Sequence, residues 1–172
     1  DRGGRWIPIL EKAFATLRNS ERPEEKRTDT ETDVIARGGS IPNSLRTITG
    51  RSVRYLALRA RGKTHQAPTD VEAEAKLKPV REMIRSAVAE ERLVCAGTPK
   101  TVATPGVNGK HAYAIVAYDE KADAVRLWNP HGNTFKPKGE AGLKHGYETK
   151  DGLFTVPLSD FVRIYAGVSC EE

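Results

Sequence analysis

The chain has 172 residues, enough for one domain with a sizeable core or for two small lobes sharing a cleft. Apolar residues make up 38% and charged residues 30%, and no run of about 18 apolar residues occurs, so a membrane-spanning helix is excluded. The net charge of +5 is spread along the chain and only 6% of residues are aromatic, so no basic stretch is interleaved with stacking aromatics and a nucleic-acid partner is not expected.

In chain order, the N-terminal "DRGGRW" carries no initiator Met, signal peptide or cleavage pattern, and reads as part of a longer chain with the cytoplasm as the expected setting. Residues 6–18 place Ile7, Leu10, Phe14 and Leu17 at helical spacing with Pro8 in the first turn, which predicts an amphipathic helix. Residues 19–33 are polar, lack an apolar period and contain Pro23, so they read as a loop. "RGGSIPNSLRTITGR" follows with three glycines and a proline and reads as irregular, with a lobe boundary near Gly50. "SVRYLALRA" has the β-branched and aromatic content of a strand, and "GKTHQAPTD" is a loop. A helix is expected to start at Pro79 and run to about Arg92, with Val80, Ile84, Ala87 and Val88 on one face. "RLVCAG", "HAYAIVAY", "DAVRLWN", "LFTVP" and "FVRIYAGV" read as short strands between turn-rich segments. The expected fold class is α+β, with a mainly antiparallel sheet packed against helices.

The polar connection Asp119 to Ala122 makes a hairpin of "HAYAIVAY" and "DAVRLWN". Side chains alternate along strands, so His111 shares a face with Tyr113 and Ile115, and Asn129 with Val125 and Leu127. If paired residue numbers add to an even total near 240, His111 and Asn129 fall on one face; an odd register separates them. An Asn carbonyl oxygen that accepts the proton on one imidazole nitrogen fixes the tautomer and turns the other nitrogen toward a nucleophile. The plainer alternative is a strand-end histidine beside an Asn-Pro turn. "TPGVNGK" is then the loop that presents His111, since no helix follows it as in a phosphate cradle.

The two cysteines, Cys95 and Cys170, are too few for a disulfide framework and are expected as reduced, inert thiols, Cys95 buried in an apolar strand. A further reading makes Cys95 the nucleophile of an acyl-transfer enzyme, which requires it to lie exposed beside His111. His65, His111, His131 and His145 show no zinc-ligand spacing with one another or with Cys95.

"GKHAYAIV" followed by "VRLWNPHG" resembles the second half of the calpain-family cysteine protease domain, with its Gly-His-Ala-Tyr strand and Arg-Asn-Pro-Trp-Gly turn. "WIPILEKAFATL", "RGGSIPNSLRTITG" and "DGLFTVPLSDFVRIYAGVSC" resemble the family's helix, inter-lobe connection and closing strand and helix, so most of the chain is covered. The resemblance implies that residues 1–50 end the Cys lobe and residues 51–172 form the His/Asn lobe of a cysteine-type endopeptidase. It makes His111 the general base and Asn129 its orienting residue, with a protein or peptide as substrate. The family's Gln, Gly, Cys, Trp segment is absent, so the upstream Cys-bearing lobe is the implied partner and the 172 residues alone are expected to be inactive. His131 stands where the family has the Trp that shields the His-Asn bond, and a weaker shield is expected. The family also brings calcium as a candidate cofactor, with Asp119, Glu120, Asp123, Glu148 and Asp151 as loop acids but no twelve-residue calcium loop. The alternative within the same resemblance is a degenerate calpain-like module that binds proteins without catalysis.

Overall fold

The computed structural model describes residues 6–28, 30, 33–34, 38–60 and 66–172. Helix α1 is Trp6–Ser20, followed by one 3-10 turn, Glu24–Lys26, and helix α2, Ile41–Thr49. Strand β1 is Val53–Ala57, helix α3 Asp70–Ala89, strand β2 Val94–Gly97, β3 Ala112–Asp119 and β4 Ala124–Trp128. Strand β5, Leu153–Pro157, runs directly into helix α4, Leu158–Ile164, and strand β6, Gly167–Glu171, closes the chain. The six strands form one antiparallel sheet in the order β1-β6-β2-β3-β4-β5, which gives the α+β class.

The core lies between one face of this sheet and helices α3 and α4. Pairing puts Leu56, Val168, Ala96 and Tyr113 in one row across β1, β6, β2 and β3, and this row meets Val80, Ile84 and Phe161. The helical spacing of Ala73, Val80, Ile84 and Ala87 is what turns the apolar stripe of α3 onto the sheet. On the opposite face α2 packs against β1 and β6, burying Leu45. Elsewhere that face leaves Tyr55 and Trp128 exposed.

Three elements differ from the reading of the sequence. "IPNSLRTIT" forms a helix, because Pro42 in its first turn and Gly50 in the left-handed region at its end outweigh the two preceding glycines. The Gly50 N–H donates to the Arg46 carbonyl at 2.9 Å and closes the last turn. Helix α3 begins nine residues before Pro79: Thr69 and Glu72 make a reciprocal capping box, and the missing Pro79 N–H frees only the carbonyl of Ala75, an exposed residue. "FVRIY" is not a strand. Leu158, Phe161, Val162 and Ile164 are buried in a helix packed on α3, and the strand begins only at Gly167.

Helix α1 forms as expected, but its apolar residues are mostly not covered: Leu10 and Leu17 are exposed, Phe14 is half-buried, and only Ala15 is closed off. The side chain of Ile7 lies outside the described residues, as do residues 61–65 of the expected loop and His65 with them. No helix among the described residues is long and apolar enough to cross a membrane.

Candidate active site

The register of the hairpin decides the site. Near the turn, pairs such as Ala117 with Arg126 add to an odd total, which, if continued, sets His111 and Asn129 on opposite faces. A β-bulge between Ile115 and Ala117 leaves Val116 unpaired and changes the parity, so that Ile115 faces Leu127 and Ala114 faces Trp128. Continued toward the open end, this register sets Tyr113 opposite Asn129 and His111 diagonal to it on the same face. His111 Nε2 and Asn129 Oδ1 are 2.8 Å apart, as the even register requires.

Both residues flank the ladder rather than lying in it, and each is tied down by its backbone. The Thr98 N–H donates to the His111 carbonyl at 2.9 Å, and the His111 N–H donates to Thr98 Oγ1 at 2.9 Å, extending the β2–β3 pairing by one step. The loop between them is pinned by Tyr113, whose hydroxyl oxygen accepts from the Asn108 N–H at 2.8 Å. Asn129 opens a turn with Pro130 in second position, closed by the Gly132 N–H donating to the Asn129 carbonyl at 3.0 Å. The Asn129 N–H donates to Gly152 O at 2.8 Å, and the Gly152 N–H donates to Asn133 O at 2.8 Å, so the Asp151-Gly152 turn clamps this turn from the side. Gly152 is required there: its φ is +81°, and a Cβ would lie 2.3 Å from the Asn129 carbonyl oxygen.

The amide orientation follows from these partners. The His131 backbone N–H, which can only donate, lies 3.1 Å from Asn129 Oδ1, and Asn129 Nδ2 donates to Asn133 Oδ1 at 2.7 Å. With its oxygen so fixed, Asn129 accepts from His111, and the imidazole carries its proton on Nε2. Nδ1 is then a lone-pair nitrogen, with no hydrogen bond among the described residues. Asn129 is fully buried and His111 is half-buried, so the orienting bond is sheltered while the ring keeps an open edge. Tyr113 meets the ring edge-on at 5.0 Å between centroids. The His131 ring lies 4.3 Å from the His111 ring, tilted by 46°, and is itself exposed.

The other candidates stand apart. Cys95 pairs with Ala114, whose side chain takes the face opposite to that of His111, so the two cannot form a nucleophile-base pair; the acyl-transferase reading fails on this geometry. The Cys95 side chain is half-buried rather than enclosed, and burial, with a smaller contribution from Cys170, pushes its thiol up to about 11. Cys170 is buried among the core residues. Among the described residues no three His, Cys, Asp or Glu side chains are grouped to hold a metal ion. Asp119 accepts from the Lys121 and Ala122 N–H groups, Asp123 is bound by Arg81 and Tyr118, and Glu120, Glu148 and Asp151 are exposed. His145 packs beside Gly139, in a different loop from His111. A surface hollow of about 930 Å³ lies at the turn end of the hairpin against Tyr118, Lys121, Arg126 and Tyr147, and does not include the His-Asn pair.

Sequence reasoning missed Thr98, Asn133 and Gly152. Asn133, four residues after Asn129, and the Asp-Gly pair at 151–152 were local signals of a second turn; Thr98 had none, because it reaches His111 only through sheet pairing. The sequence matches no known family model and no curated protein.

Proposed function

We propose that this chain is the His/Asn-bearing lobe of a calpain-like cysteine endopeptidase. The observation that carries the reading is the 2.8 Å contact between His111 Nε2 and a buried, orientation-locked Asn129 Oδ1, with Nδ1 left uncommitted. In this mechanism a thiol from a separate lobe gives its proton to Nδ1, forming a thiolate-imidazolium pair that the Asn129 carbonyl steadies through Nε2–H. The thiolate attacks a peptide carbonyl, His111 returns the proton to the departing amine, and His111 then takes a proton from the water that hydrolyses the thioester. Neither cysteine of this chain serves, so the isolated 172 residues are inert. A cytoplasmic setting that keeps thiols reduced belongs to the same reading.

The test is peptide hydrolysis by the full-length protein containing this chain, together with labelling by a thiol-directed activity probe, with and without calcium. His111→Ala is expected to abolish turnover, and Asn129→Ala to reduce it less, since the base remains while its orientation is lost. Turnover that survives His111→Ala overturns the proposal. A second reading, a protein-binding module without catalysis, is favoured by the exposed apolar residues Leu10 and Leu17 of α1 and Tyr55 and Trp128 on the sheet. An absence of probe labelling in the full-length protein, with the fold intact, selects that reading.

A further inference from the structure

Away from the His-Asn pair, a cavity of about 410 Å³ opens between the residues after β1, the loop after β2 and the C-terminal end of α4. Among the described residues, its wall is more apolar than polar, with Val102, Leu143 and Ile164, its polar groups are Arg59, Arg163, Thr101 and Thr104, and no acidic residue lines it. Arg59 is only 9% exposed. Its Nη2 donates to the carbonyls of Arg163 at 2.8 Å and Ile164 at 3.0 Å, and its Nη1 donates to the Gln66 carbonyl. These bonds seat the guanidinium at the negative end of α4 but bring no full negative charge. Its Nε has no partner among the described residues, and no carboxylate among them pairs with Arg59. Burial without a counter-ion accordingly depresses its pKa. Arg163, the second cation, meets Asp70 at 2.7 Å, but Asp70 is 92% exposed and does not line the cavity.

A buried cation used only to cap a helix bears the cost of its charge and of an unmade hydrogen bond. An anion in the adjoining space offsets the charge. The size is that of a small-molecule site, and the mix of a mostly apolar wall with a few convergent polar groups is what such sites show. A planar guanidinium suits a carboxylate or a phosphate, and the apolar part of the wall selects an anion that carries an apolar body. We infer that this cavity binds a small amphipathic monocarboxylate, its carboxylate between Arg59 and Arg163 beside the Thr101 and Thr104 hydroxyls, its apolar body against Val102, Leu143 and Ile164.

The test is an NMR titration of the isotope-labelled chain with hexanoate, using hexan-1-ol as the uncharged control and inorganic phosphate as the apolar-free anion. Hexanoate is expected to shift the methyl resonances of Val102, Leu143 and Ile164 saturably in the low-millimolar range, with hexan-1-ol at least about tenfold weaker and phosphate without effect on those methyls. Because Arg59→Ala removes the cap on α4 and risks the fold, the variants are Arg163→Gln, expected to weaken hexanoate about fivefold to tenfold, and Leu143→Trp, expected to fill the space and abolish binding. Equal response to hexan-1-ol, equal response to phosphate, no saturation by hexanoate, or undiminished binding in a folded Leu143→Trp variant each overturns the inference.

Discussion

The two ends of the β3–β4 hairpin each carry a polar cluster tied to a neighbouring element, and they differ in what is left over. At the turn end, Asp123 accepts from Arg81 Nε at 2.9 Å and Nη2 at 2.7 Å, and Tyr118 donates to the same carboxylate at 2.5 Å. Both carboxylate oxygens are engaged, and the cluster joins α3 to the hairpin. At the open end, Asn129 has all its groups engaged while His111 keeps Nδ1 uncommitted at a partly open edge. A cluster with both halves of every pair present is a clasp; one with a basic nitrogen held in a fixed tautomer and no partner is set up to exchange a proton.

Deleting a single residue between the bulge and His111 breaks this contrast most severely, and deleting the bulged residue is its control. Removing Ala112 moves His111 to the other face and should abolish the His111–Asn129 bond, whereas removing Val116 closes the bulge and keeps both faces. The nitrogen shifts and slow exchange of the His111 Nε2 proton report the outcome; loss in both deletions would mean that parity is not what positions the pair. Gly152→Ala comes next, with a destabilisation of about 3 kcal/mol in denaturant melts from positive φ and the clash with the Asn129 carbonyl, and with the Nε2 signal lost. Asn129→Ala should cost about 2 kcal/mol, since it removes a fully buried amide that joins His111, the His131 N–H and the Asn133 side chain.

The turn end responds more weakly. Arg81 holds the Asp123 carboxyl below its ordinary value, so Asp123 contributes stability that is fully present above the unfolded carboxylate range and is lost as pH falls through the folded value. Because the pair is more than a third exposed, Asp123→Asn should cost no more than about 1 kcal/mol above roughly pH 5, and the gap to the parent should close below about pH 4. A gap that widens on acidification would contradict the clasp. On the opposite sheet face, Cys95 should react with iodoacetamide at pH 8 roughly a hundredfold more slowly than an ordinary thiol, its rate climbing through pH 10 without a plateau. A plateau below pH 9 would contradict the burial that raises this thiol.

How much of this was legible follows the range of each signal. Alternation in "HAYAIVAY" and "DAVRLWN" placed the hairpin and singled out His111 and Asn129, because strand period and turn chemistry are local. The same locality misled at "FVRIY", where β-branched residues look like a strand but bury themselves in a helix against α3, and at "IPNSLRTIT", where two glycines obscured a helix with its own proline start and glycine stop. The capping box at Thr69 was also local and readable, yet Pro79 drew the helix start to itself.

By itself, then, the sequence determined the α+β class, the order and approximate limits of most strands, and the two residue types able to act together, since each rests on the chemistry of a few neighbouring side chains. The tertiary structure alone decided whether they meet. Face parity belongs to a pair of strands rather than to either one, and here it depends on Val116 being left out of the ladder. The Asn129 side chain reaches His111 because a turn 22 residues further on, at Asp151-Gly152, holds its backbone. Nothing in the local chemistry of "WNPHG" specifies either constraint, because both arise only when distant segments share one sheet edge.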